Sequence, residues 1–148
     1  MREIKIIGNS TFINKTKEAL QLIKTNDVCS FEFINKYIGI IKQSDYSGMD
    51  VFTNPPTFLV SNGTSNSDVF WYASCILHDA THSFLFFTAK EKGEDAFAAY
   101  QGHDAEMYCL TAQIELLKRI NAPSYLIEYA ESFYDNKWYE VPVSKRHW

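Results

Sequence analysis

Cysteine is scarce in this chain, and its three copies, Cys29, Cys75 and Cys109, are an odd number with no C-x-x-C spacing. That pattern implies neither a disulfide framework nor a thiolate zinc site; free buried thiols in a reducing compartment are the simplest expectation. Positive charge is also short. With 14 Lys and Arg against 18 Asp and Glu the net charge is -4, and no basic stripe is visible, which argues against a nucleic-acid partner. No apolar run follows Met1-Arg2-Glu3-Ile4-Lys5, so a secretory leader is not expected and the expected location is the cytoplasm. Internal repeats, low-complexity tracts and long linkers are missing too. The expectation is one domain over residues 1–148, large enough to bury a real core.

One stretch, Val69 to Ala89, comes close to a membrane span in length and apolarity. His78, Asp79 and His82 fall in its middle, and an ionisable cluster there is costly in lipid. A buried central helix is therefore expected, with no membrane partner. Aromatic residues are plentiful: 11 Phe, 9 Tyr and 3 Trp make 16% of the chain, which suggests an aromatic-rich core or groove.

The pattern along the chain predicts an α+β fold. Ile4, Ile6 and Ile7 form a short extended start. Asn9-Ser10 offers a helix N-cap, and Phe12, Thr16, Ala19, Leu20 and Ile23 follow at helical spacing. Phe31, Ile34 and Tyr37 or Ile38 suggest a second short helix, and Ile38 to Gln43 a strand. Ser44 to Gly48 is turn-like, and Asn54-Pro55-Pro56 stops regular structure. Thr57 to Ser61 reads as a strand, with Phe58 and Val60 on one face and Leu59 on the other, and Asn62-Gly63-Thr64 as a turn. The central helix begins near Ser67, with Asp68 in its first turn, and ends between Lys90 and Gly93. Beyond a link at Gln101-Gly102-His103, a helix runs from about Asp104 to Ile120 with Met107, Leu110, Ile114 and Leu117 on its apolar side. Asn121-Ala122-Pro123 ends it, Ser124 to Tyr134 is helical, and Trp138 to Trp148 is extended.

The chemistry concentrates in Cys75-Ile76-Leu77-His78-Asp79-Ala80-Thr81-His82. One helical turn is about 3.6 residues, so His78 and His82 project from one face about 6 Å apart along the axis, a spacing that suits two ligands of one metal ion. Burying so many ionisable groups costs several kcal/mol unless they are paired or metallated. An open zinc site needs a third protein ligand. The start of the next helix offers three: Glu106, 24 residues after His82, Asp104 and His103. Glu106 is favoured because it shares a line with Gln113 two turns on, whereas Asp104 suits an N-cap or first-turn role.

His78-Asp79-x-x-His82, followed by a helix carrying Ala105-Glu106, resembles the gluzincin branch of the zincin-like metallopeptidases over roughly Ile38 to Ile120, with Asp in place of the usual Glu. The resemblance implies a small sheet packed on a buried motif helix, with Thr57 to Ser61 as an edge strand that receives substrate. It implies Zn2+ held by His78, His82 and Glu106, with Asp79 as general base for hydrolysis of a peptide or protein substrate. An oxyanion partner is needed, and His103, Tyr100, Tyr125 and Tyr129 are candidates. Two other classes stand beside this one. A binding or toxin-associated module can keep a zincin shape without catalysis. An HD-type phosphohydrolase would share Ile76-Leu77-His78-Asp79 but needs a histidine well upstream, and no histidine precedes His78.

Overall fold

Three parallel strands and one antiparallel strand form the sheet of this α+β protein, seen in a computed structural model that describes residues 3–135 and 138–140. The order is β1-β2-β4-β3, built from β1 (Lys5–Ile7), β2 (Ile40–Gln43), β3 (Gly48–Asp50) and β4 (Thr57–Val60). β1 and β4 flank β2 in parallel register, with Ile6 opposite Ile41 and Ile41 opposite Phe58. β3 runs antiparallel to β4, with Met49 opposite Phe58. Parallel strands require long crossovers. Here two helices, α1 (Ser10–Asn26) and α2 (Val28–Tyr37), carry the chain from β1 to β2.

Local sequence explains the helix ends. Oδ1 of Asn9 accepts from the Phe12 amide, and Asp27 caps α2 through the Ser30 amide. α1 buries Phe12, Thr16, Ala19 and Ile23, the stripe expected from helical spacing. Asn62-Gly63-Thr64 is not a plain turn. Ser61 caps a short helix, α3 (Asn62–Ser65), through the Thr64 amide. The long helix α4 (Val69–Glu91) is capped by Asp68, whose carboxylate accepts from the Phe70 amide; Ser67 instead donates to the Thr64 carbonyl. It leaves through Gly93, at φ 72°, where an L side chain would be strained.

α4 buries residues on several sides, from Tyr72 and Ile76 through His78, Thr81 and His82 to Phe86. A helix of this kind belongs in the interior. It packs against the helices α1, α2 and α6 (His103–Arg119) and against the sheet. The main core gathers Phe12, Ile23, Ile34, Ile41, Phe58, Tyr72, Ile76 and Leu116. A smaller cluster of Leu110, Ile114, Leu117 and Ala130 joins α6 to α7 (Ser124–Ser132). The short helix α5 (Ala96–Ala99) lies between α4 and α6. No described helix is long and apolar enough to cross a membrane.

Two expectations are corrected. The strand at Thr57 to Ser61 is central, not an edge: β4 is paired with β2 on one side and β3 on the other. Its side chains fit that place, since Thr57, Phe58 and Val60 are all buried, and strands covered on both faces lose the alternation of a half-exposed edge. The edge strands are β1 and β3, and β3 starts at Gly48, where the segment that reads as a turn ends. The stretch from Trp138 is not extended where it is described, because Trp138–Glu140 is a single turn of 3-10 helix; residues 141–148 lie outside the described residues.

Candidate metal centre

His78 and His82 sit one turn apart on the inner face of α4, and both are 7% exposed. Their ring orientation is fixed from behind. Nδ1 of His82 is 2.6 Å from the Tyr100 carbonyl oxygen, which can only accept, so this nitrogen carries the proton. Nδ1 of His78 is 2.8 Å from Oε1 of Gln113. The orientation of that amide follows from a chain of donors. The Ser74 hydroxyl donates to the Trp71 carbonyl, Nε2 of Gln113 donates to the Ser74 oxygen at 3.0 Å, and Oε1 is left to accept from His78. Both imidazoles are thus held through Nδ1–H to an oxygen, the arrangement that turns Nε2 towards a metal and fixes its tautomer.

The two Nε2 atoms lie 3.3 Å apart and share a carboxylate: Oε2 of Glu106 is 3.2 Å from His78, and Oε1 is 3.0 Å from His82. Glu106 reaches them because α6 crosses α4 here. Gly102 starts that helix at φ 93° and ψ -176°, a conformation open essentially to glycine alone, and its carbonyl accepts from the Glu106 amide. A third candidate ligand joins from the same helix. His78, His82 and Cys109 form a buried group whose ligand atoms all lie within 4.8 Å of one another, and this group can hold a metal ion.

Charge is balanced within the cluster. Burial alone would lower the pKa of His82, but the Cys109 thiol close by and the paired carboxylate of Glu106 hold it well above the ordinary histidine value. Burial would raise the Glu106 carboxyl, and hydrogen bonds from His78 and His82 overcome that and hold it far below the usual carboxylate range. Burial pushes the Cys109 thiol up, partly opposed by His82.

The donor set is of a kind that can hold a metal ion. Zinc binds imidazole and carboxylate at about 2.0–2.1 Å in tetrahedral geometry, which puts ligand atoms about 3.3–3.4 Å apart. Here the two Nε2 atoms are 3.3 Å apart, and each meets a different oxygen of Glu106 at hydrogen-bonding distance.

The cluster opens into a cavity of about 400 Å³. Asp79 lines it beside His78, His82 and Glu106; Trp71, Leu110, Phe133 and Trp138 supply an apolar wall; Ser47 and Gly48, at the start of β3, form another side. The Trp138 ring lies 5.6 Å from that of His78, and its Nε1 is buried with no hydrogen-bond partner among the described residues.

The other residues singled out from sequence fall elsewhere. Asp104 and His103 are exposed in the first turn of α6, and His103 pairs with the Tyr139 hydroxyl at 2.6 Å. The Tyr100 ring packs on Phe86 and Phe97, so its part in the site is played by its backbone oxygen. Tyr125 is 61% exposed, and Tyr129 is the tyrosine that lines the cavity. Cys109, Gln113 and the Tyr100 carbonyl were not anticipated. The first two had a signal, because Glu106, Cys109 and Gln113 follow at i, i+3 and i+7 and so share one helical face. The chain matches no protein-family model, no curated protein and no solved structure.

Proposed function

We propose that this protein is a small zincin-like peptidase that hydrolyses peptide bonds with zinc held by His78, His82 and Glu106. The observation that carries this reading is the shared anchoring of the two imidazoles. Each gives its Nδ1 proton to an oxygen, and each turns Nε2 onto the same carboxylate. When bound, zinc lowers the pKa of a water to about 7 and polarises a carbonyl.

The remaining chemistry belongs to the chain's own groups. Asp79 follows His78 directly, so its side chain is rotated about 100° from that ligand around the helix. It lines the cavity and is only half-buried, which suits a base that takes a proton from an attacking water and passes it to the leaving amine. The apolar wall of Trp71, Leu110 and Phe133 keeps water out of one side of the cavity and suits a large apolar side chain of a peptide or protein substrate. On the sheet side, β3 has no further strand beside it among the described residues, so its outer edge can pair with an extended peptide. That role passes to Gly48–Asp50 from the central strand β4. Free thiols at Cys29, Cys75 and Cys109 agree with a reducing, cytoplasmic setting.

The test is cleavage of a mixed peptide library by purified protein, as isolated, after chelation, and after zinc is restored. Cleavage that disappears on chelation and returns with zinc supports the reading. A zinc-loaded, folded protein that cleaves nothing in the library defeats it.

A second reading, a binding module with a structural metal, is favoured by Cys109. This residue brings the protein donors near the site to four, and closed four-ligand sites are structural.

A further inference from the structure

We infer that Phe52 and Phe97 form a second subsite for the peptide substrate, which takes an apolar side chain about four residues from the cleaved bond. The inference rests on the peptidase reading above and deepens it, because it names a feature the substrate carries away from the metal.

Phenylalanine has no polar tip to offer water. Among the described residues, Phe52 and Phe97 are the two exposed phenylalanines, at 65% and 55%. The other exposed large hydrophobics are tyrosines, which keep a hydroxyl in water, and Val28. A lone exposed apolar residue is ordinary, but these two are joined. Their ring centroids lie 6.1 Å apart, and both rings pack edge-on against Tyr100. Phe86, which is buried, lies against Phe52 and Tyr100. The backbone that presents the patch is fixed at both ends. Oδ1 of Asp50 accepts from the Phe52 amide at 3.0 Å, and Asp95 caps α5 through the Ala98 amide.

The patch is continuous with the candidate centre. His78, His82 and Phe86 follow one another at one-turn spacing along a single stripe of α4. Tyr100 belongs to both places: its carbonyl oxygen holds His82, and its ring packs in the patch. β3 makes the same connection from the sheet. Gly48 lines the cavity into which the cluster opens, and the chain runs on through Asp50 to Phe52. At about 3.3 Å per residue, Gly48 to Phe52 spans about 13 Å, which an extended peptide paired with β3 covers in about four residues. A peptide bond held at the cluster beside Gly48 therefore brings a side chain about four residues away onto Phe52 and Phe97. The occupant is the substrate and not a second copy of the chain, because the patch stands at the end of the path that the open edge of β3 offers from the cavity.

Sequencing the cuts made in the mixed peptide library tests this. Zinc-loaded wild type is expected to prefer Leu, Ile, Phe or Met about four residues to one side of the cleaved bond. The Phe52→Ser/Phe97→Ser double variant should lose that preference and keep the one next to the bond. With a single peptide carrying Leu at that place, the double variant should raise KM about tenfold, the effect of leaving one leucine side chain in water, with kcat near wild type. Phe52→Leu should keep KM close to wild type, and a peptide with Ser in place of that Leu should serve wild type and double variant alike. A wild type with no preference at that distance, or a double variant with unchanged KM, overturns the inference and leaves the peptidase reading intact. Self-association of the wild type with a monomeric double variant also overturns it, since the patch is then an interface between copies. If the double variant does not fold, the Leu and Ser peptides are compared on wild type alone, and equal KM values overturn the inference. A wild type that cleaves nothing in the library defeats the peptidase reading itself, and the inference with it.

Discussion

Nδ1 of His78 donates to Oε1 of Gln113 across 2.8 Å, and this contact between α4 and α6 decides which ring nitrogen faces the cluster. Gln113 is 4% exposed, 35 residues from His78, and is no candidate ligand. Its other end is fixed by Ser74, which is fully buried. The orientations of both imidazoles thus depend on groups that accept a proton from behind: a side-chain amide for His78 and the Tyr100 carbonyl for His82.

Gln113→Leu should therefore weaken zinc binding by about 10- to 100-fold, the range for an outer partner of a ligating histidine. Gln113→Glu keeps an acceptor for the His78 proton but loses the donor to Ser74, and it should still bind zinc more tightly than Gln113→Leu. Competition titration against a chromophoric chelator measures both. Equal affinity in Gln113→Leu and wild type would show that the contact has no bearing on the metal.

Glu106→Gln preserves size and removes the anionic oxygen that faces both Nε2 atoms. It should lower zinc affinity roughly tenfold or more, since even outer-shell changes reach that level. Asp104→Asn and His103→Ala, both exposed at the start of α6, should leave affinity unchanged. Loss of metal in either of those two, with retention in Glu106→Gln, would reverse the ligand assignment.

The site was readable from sequence where its signal is periodic. His78 and His82 stand out at i, i+4 on an apolar helix, and Glu106 by its place on the next one. Cys109 carries no zinc signature in the sequence, being a lone cysteine without C-x-x-C spacing, although it shares a face with Glu106 and Gln113. The Tyr100 carbonyl had no signal, since any residue supplies a backbone oxygen. In the sheet, β3 is three residues long, Gly-Met-Asp, with no strand propensity of its own; pairing with β4 creates it. The edge was misplaced for the same reason. Whether Thr57–Val60 is central depends on partners elsewhere in the chain, and only its continuous apolar character hinted at the answer.

Away from the site, Asp27 joins three elements. It caps α2, accepts from the Ser30 hydroxyl at 2.6 Å, and pairs with Arg119 at the end of α6. Burial would raise its carboxyl, but the hydrogen bonds from Ser30 and Arg119 and the charge of Arg119 outweigh that and hold it below the ordinary value. A depressed folded pKa gives stability that is present above the unfolded value, about 3.9, and lost as pH falls through the lower folded one. Asp27→Ala should cost about 0.5–2 kcal/mol at neutral pH, mostly as a lost cap. Arg119→Met should cost less than about 1 kcal/mol, because the arginine is half in solvent. Urea unfolding across pH should show the Asp27→Ala deficit constant above about pH 5 and shrinking below about pH 4. A deficit independent of pH would assign the whole effect to packing.

Asp79 separates a peptidase from a metal-stabilised module. It lines the cavity with His78, His82 and Glu106 but follows His78 directly, turned about 100° around the helix from it. Its carboxylate is one methylene shorter than the glutamate usual in this kind of motif, so it reaches less far towards a water at the metal. Asp79→Asn keeps the size and removes the base. Zinc content and melting temperature should stay near wild type, while kcat falls by about 10²- to 10⁴-fold, the range for a lost general base. Asp79→Glu restores the longer reach. Activity that survives or rises in it would mean the site is built around a carboxylate at this position and tolerates either length. Wild-type turnover in Asp79→Asn would remove Asp79 from the mechanism. Loss of zinc from Asp79→Asn would instead make it a ligand or the support of one, because a residue that only moves protons has no part in holding the metal.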